Sequence, residues 1–207
     1  MPIHIISKGE SVPSVAKDNG FFWETLWNHG QNAELKAKRK DPNILFEGDE
    51  LFVPELELRW ESRATEAKHK FKRKGDPLKF KLQLKIMGEP RANEDYTLQL
   101  DTGTFRGKTD GDGKIEITIP GNSRGGTLLL GGGKEKLPVR IGHLDPIEEL
   151  SGVQQRLTNL AFPTGNEDGE MTDQTRDALK RFQQKYQLQV TGEADDATKA
   201  KLKELLP

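Results

Sequence analysis

Near the C-terminal end, DGEMTDQTRDAL (168–179) and TGEADDATKAKL (191–202) align at a shift of 23 residues, with Gly, Glu, Asp, Thr and Leu at equivalent places. A chain that repeats a Gly-Glu turn followed by a capping residue builds the same turn-and-helix unit twice. The cap is Thr172 in the first copy and Asp195 in the second, each ready to accept from the first turn of a helix. Ahead of them Val153, Leu157 and Leu160 fall at helical spacing. Residues 145–207 are therefore predicted to form three helices.

The period changes upstream. Phe80, Leu82, Leu84 and Ile86 alternate with Lys79, Lys81, Gln83 and Lys85, the pattern of a half-buried strand. Tyr96–Leu100 and Ile115–Ile119 alternate again, and TLLLGGG and LPVRIG follow. Gly-Glu-Pro, Asp-Gly, Gly-Gly and Pro-Gly punctuate the runs, so residues 78–144 are expected to form a small all-β sandwich.

Residues 1–55 read as strand, helix, helix, strand. His4-Ile5-Ile6 opens, Ser11 caps a helix with Pro13 in its first turn, and Gly20 ends it. FFWETLW supplies an apolar helical stripe, a polar and basic stretch follows, and Glu50–Val53 closes as a strand before Pro54. Residues 56–77 are charged, with scattered apolar residues, and are expected to be a linker. Its cluster Lys68, Lys70, Lys72, Arg73, Lys74 is either a phosphate-contacting patch or a solvated tether.

Composition narrows the chemistry. The 33% apolar and 31% charged residues suit several small domains better than one large core. Acidic and basic residues nearly cancel to a net charge of −1, which argues against nucleic acid as a partner. With no cysteine, disulfides, thiolate metal sites and cysteine nucleophiles are excluded. The histidines at 4, 29, 69 and 143 lie in separate segments, and neither H-E-x-x-H nor G-x-S-x-G occurs. TDGDGK (109–114) has the acidic spacing of a calcium loop but lacks its third ligand and distal Glu, and reads better as a turn. The expectation is a non-enzyme without metal or cofactor. No membrane-length apolar run and no secretory signal are visible, so the chain is expected to be synthesised in the cytoplasm.

Three resemblances complete the reading. KGES, VAKDNG and then PNILFEGDELFVP resemble a LysM domain over about residues 3–54. Val12-Pro13 departs from that family's usual pair, and QNAELKAKRK lengthens a loop. The resemblance implies a βααβ fold and binding of N-acetylglucosamine polymers such as peptidoglycan. It places Gly9, Glu10, Ser11 and Val12 on one side of a groove and Pro42, Asn43, Ile44 and Leu45 on the other. Trp23 and Trp27, four apart on one helix, are candidates for stacking on sugar rings or for the core. Residues 78–144 loosely resemble immunoglobulin-like or carboxypeptidase-regulatory-like β modules. The segment VQQRLTNLAF…DGEMTDQTRDALKRFQQKYQLQVTGEADDATKAKL closely resembles a three-helix peptidoglycan-binding module, with Ala161 where glycine is common. In it Gln183 and Thr198 match positions that shape helix ends.

The fold class expected is multidomain α+β: LysM-like domain 1–55, basic linker 56–77, immunoglobulin-like sandwich 78–144 and helical domain 145–207. Together the resemblances imply a non-catalytic, multivalent peptidoglycan binder that targets or anchors a partner. The order of modules resembles accessory proteins of type VI secretion or phage-like contractile systems. The partner is then a secretion spike or effector, and delivery is by that machine to the periplasm or wall. The alternative is a protein-interaction adaptor with vestigial glycan sites. A subunit serving a separate hydrolase is a third reading.

Overall fold

The computed structural model describes residues 3–57, 60, 62–70 and 78–206. The chain divides into two compact units, one of residues 1–43 with 47–142 and one of residues 44–46 with 143–207. Helices and small antiparallel sheets make it a mixed α and β protein.

The first unit opens with β1 (Ile3–Ile5), α1 (Val12–Asp18), α2 (Trp23–Trp27), α3 (Ala33–Arg39) and β2 (Glu50–Phe52). Strands β1 and β2 pair antiparallel, Ile3 with Phe52 and Ile5 with Glu50. The expected Ser11 cap is present. The Ser14 amide donates to Ser11 Oγ and the Ser11 amide to Ser14 Oγ, satisfying two N–H groups that the helix cannot use. Ile6, Val12, Val15, Leu26, Trp27, Leu35 and Leu51 are buried.

The stretch expected to be a loop is α3, so this region holds three α-helices between its strands rather than two, with a 3-10 turn at Gly30–Asn32. Its seven residues are AELKAKR, mostly strong helix formers, and one apolar anchor, Leu35, suffices to seat them. Two polar clamps complete the seating. Arg39 donates from Nε and Nη2 to the Asp49 carboxylate at 2.7 and 2.9 Å. Buried Asn32 accepts from the Phe52 amide at 2.7 Å and donates to the Phe52 carbonyl at 2.9 Å, pairing β2 as a strand would. Such clamps leave no apolar period in the sequence.

The same unit continues with β3 (Leu78–Gln83), β4 (Lys85–Ile86), β5 (Glu89–Pro90), β6 (Asp95–Leu100), β7 (Gly103–Lys108), β8 (Lys114–Ile119), β9 (Gly125–Leu130) and β10 (Glu135–Arg140). One sheet runs β10-β9-β6-β7, and β3 pairs with β8, Leu78 opposite Ile119. Leu84, Tyr96, Leu98, Leu100, Ile115, Ile119, Leu128 and Leu130 form one core drawn from both sheets. Ile86 leaves that alternation. The Leu84 amide and carbonyl are bonded to Gly113 and Arg91, so the chain beyond projects as the β4–β5 hairpin with Ile86 exposed. Edge strand β7 leaves no alternation in the sequence, because GTFRGK carries a single large apolar residue and is held by its backbone pairing to β6.

The second unit contains α4 (Leu150–Asn159), α5 (Asp173–Lys185) and α6 (Asp196–Leu205). Ile147, Val153, Leu157, Phe162, Ala178, Leu179, Phe182 and Leu202 form its core, with Phe162 and Phe182 packed edge to face at 5.5 Å. Both predicted caps are in place. Thr172 Oγ1 accepts from the Thr175 amide at 3.1 Å and Asp195 Oδ1 from the Thr198 amide at 2.9 Å. A Cβ on Gly152 would stand 2.1 Å from the Pro146 carbonyl oxygen, so the approach of α4 to the preceding turn requires glycine.

Candidate glycan-binding sites

Of the residues assigned by resemblance to the sugar groove, Gly9, Glu10, Ser11 and Val12 are buried. Gly9 adopts φ 86°, which glycine takes without penalty, and this turns the chain into α1. Ser11 is occupied as the helix cap, and the Val12 amide donates to the Pro42 carbonyl at 2.9 Å. This bond joins the two predicted walls at Val12 and Pro42. Asn43 is exposed and held by Asp41, whose Oδ1 accepts from both the Asn43 amide and its Nδ2 at 2.8 and 3.0 Å. Ile44 is half-buried and Leu45 buried, and both belong to the second unit.

Glu10 carries the densest electrostatics of this loop. Its Oε2 accepts from the Ser7 amide at 3.0 Å and lies 2.7 Å from His4 Nε2. Its Oε1 accepts from Arg124 Nη2 at 3.2 Å. Burial alone would raise its pKa, but the Ser7 amide, His4 and Arg124 together hold it below the ordinary glutamate value. Sequence reading missed Arg124 entirely, since it lies in the β region, far along the chain.

Trp27 is buried in the core at 5% exposure, with Lys36 Nζ 6.0 Å from the ring centroid, so its face is not open to a sugar. Trp23 is half-buried. An open groove of about 350 Å³ does exist on this module, lined by Ile3, His4, Asn19, Phe21, Val53, Pro54, Glu55 and Leu56, none of them on the predicted walls. Lys68 and Lys70 are exposed, whereas Lys72, Arg73 and Lys74 lie outside the described residues. In TDGDGK the carboxylate of Asp110 accepts from the amides of Asp112 and Lys114 at 2.9 and 2.7 Å, the work of a turn. Among the described residues no group of three or more His, Asp or Glu is placed to hold a metal ion, and no helix is long and apolar enough to cross a membrane.

The helical unit shows how the 23-residue repeat is used. Fully buried Gln154 accepts from the Gly169 amide at 2.9 Å and donates to the Glu170 carbonyl and Thr175 Oγ1. Fully buried Gln183 accepts from the amides of Thr191 and Gly192, and donates to the Glu193 carbonyl, Thr191 Oγ1 and Thr198 Oγ1. Each Gly-Glu turn is thus gripped by a glutamine from the preceding helix, and each Thr three residues into its helix closes the grip. The glutamines fall outside the repeat's spacing, so the repeat itself does not mark them as a pair. Upstream, Gln155 brackets Asp145, accepting from its amide at 2.6 Å and donating to its Oδ2 at 3.1 Å.

Residues 148–202 match the family described as a putative peptidoglycan binding domain. Comparison of the whole chain with curated proteins finds no match. The matched segment covers α4, α5 and most of α6 together with both glutamine-gripped turns. That match supports a C-terminal peptidoglycan-binding module.

Proposed function

We propose that this is a non-catalytic, multivalent peptidoglycan-binding protein that targets or anchors a partner to the bacterial cell wall. The observation that carries the reading is the family match of the helical unit over residues 148–202. The LysM-like signature of residues 3–54 supports a second wall-binding module, and the stretch between them acts as an immunoglobulin-like spacer. Two weak sites on one chain raise apparent affinity for a polymer through effective concentration. The order of modules supports a spike or effector of a contractile secretion machine as the partner, with delivery to the periplasm or wall by that machine.

A second reading is favoured by the burial of Gly9, Glu10, Ser11 and Val12. Here the chain is a protein-interaction adaptor for a spike or effector protein, with vestigial glycan sites. Co-sedimentation of the full chain with purified sacculi tests both. Binding weakened by Asn43→Arg, at an exposed predicted wall residue of the first unit, supports the first reading, and binding that survives it leaves the wall contact to the helical module. A chain left wholly in the supernatant overturns the first reading and supports the second.

A further inference from the structure

The first half of the Gly9–Val12 loop, Gly9 and Glu10, meets the β region of the same unit. A Cβ on Gly142 would stand 2.9 Å from the Gly9 carbonyl oxygen, so the two backbones touch without side chains between them. Beside that contact lies Arg124. Its backbone is fixed on the β side: the amide donates to the Asp101 carboxylate at 3.0 Å and the carbonyl accepts from the Ile141 amide at 2.9 Å. Its side chain, 43% exposed, reaches out to Glu10 Oε1 at 3.2 Å and to Asp18 Oδ2 at 3.5 Å.

The two oxygens of Glu10 divide the work. Oε2 is satisfied inside the N-terminal module by Ser7 and His4, whatever the β region does. Oε1 receives its charged hydrogen bond from Arg124. With Glu10 only 9% exposed, loss of that partner leaves a buried carboxylate oxygen unpaired, and hydration of it favours opening of the contact.

We infer that Arg124 is a latch: seated on Glu10 and Asp18, its guanidinium holds Gly9 and Glu10 against the β sandwich, and its release uncovers the Gly9 backbone and the Glu10 carboxylate for an N-acetylated polysaccharide. The ligand half of this inference rests on the proposed wall-binding reading of the N-terminal module. The latch half rests on geometry alone.

The test uses the full chain with Arg124→Ala, Arg124→Glu and Arg124→Lys. Amide exchange across Ser7–Ser14 reports the latch, and titration with a hexamer of N-acetylglucosamine reports the ligand. Exchange of this loop is expected to quicken about fivefold in Arg124→Ala and more in Arg124→Glu, and to stay near the parent rate in Arg124→Lys. Hexamer affinity is expected to rise by a similar factor in the first two variants. Unchanged exchange in both Arg124→Ala and Arg124→Glu overturns the latch. Faster exchange without any gain in hexamer binding leaves the latch standing and removes the saccharide as its beneficiary.

Discussion

Two kinds of loop in this protein are pinned by side chains, by opposite chemistry. The Gly-Glu turns of the helical unit are gripped by the neutral, fully buried amides of Gln154 and Gln183. The Gly9–Val12 loop is pinned by a carboxylate and a half-exposed guanidinium. A neutral amide matches backbone donors and acceptors without desolvating a charge, and it responds to neither salt nor ordinary pH. An ion pair open to solvent is screened and titrated. One arrangement suits a permanent fold, the other a contact that can be broken.

The neutral grip is lost most completely at Gln183. Gln183→Leu strips partners from the Thr191 and Gly192 amides, and should cost the helical unit on the order of 3 kcal/mol. The tryptophans lie at positions 23, 27 and 60, so far-UV dichroism can be followed for the helices while Trp fluorescence reports the other unit unchanged. Gln154→Leu removes fewer bonds and should cost about 2 kcal/mol by the same measurement. An equal or reversed order would show that the second turn is not the more tightly held.

A smaller loss, about 1 kcal/mol, is expected for Asp195→Ala, which removes the α6 cap. The Thr198 amide is the main cause that holds the Asp195 pKa below the ordinary aspartate value, against burial. A depressed carboxylate stabilises above its unfolded pKa, so this contribution is complete at neutral pH and lost as pH falls below the aspartate range. Acid titration of α6 stability in parent and Asp195→Ala should therefore converge at low pH.

The smallest effect belongs to the charged pin. Raising salt from about 0.05 to 1 M should quicken amide exchange at Ser7–Ser14 by a factor of a few and leave the turns at Gly169 and Gly192 unmoved. Acid should act in the same direction. Glu10 also has a depressed pKa, so its hold is complete above the glutamate range and is lost below it. The groups facing it are the His4 imidazole and the Arg124 guanidinium, and Asp18 shares that arginine. A loop indifferent to both salt and acid would mean that backbone packing at Gly142, not charge, holds it.

Local signals were legible in the sequence and distant ones were not. The caps at Ser11, Thr172 and Asp195 were readable because cap chemistry needs only a few consecutive residues. The alternation of Phe80 with its lysines gave β3, and the repeat gave α5 and α6. Helix α3 was hidden because Asn32 and Arg39 replace an apolar stripe with hydrogen bonds to Phe52 and Asp49. The cover over Gly9 was hidden because Arg124 and Gly142 meet it only after folding. The resemblance named the loop, but burial of that loop is a property of the tertiary structure.

Strand β3 draws one further distinction between the units. Its partner is β8, so Leu78 must find Ile119 after the whole of β4 to β7 has been laid down between them. Hairpins β6–β7 and β9–β10 close locally, yet the core they share with β3 waits on that long-range pairing. In the helical unit each glutamine grip joins neighbours in sequence. Chain entropy therefore sets an order of assembly, in which the helices mature quickly and the β core closes last. Until both β3 has paired with β8 and β6 with β9, the faces carrying Leu98 and Ile115 stand open, and exposure to aggregation ends only when these two long-range pairings are made.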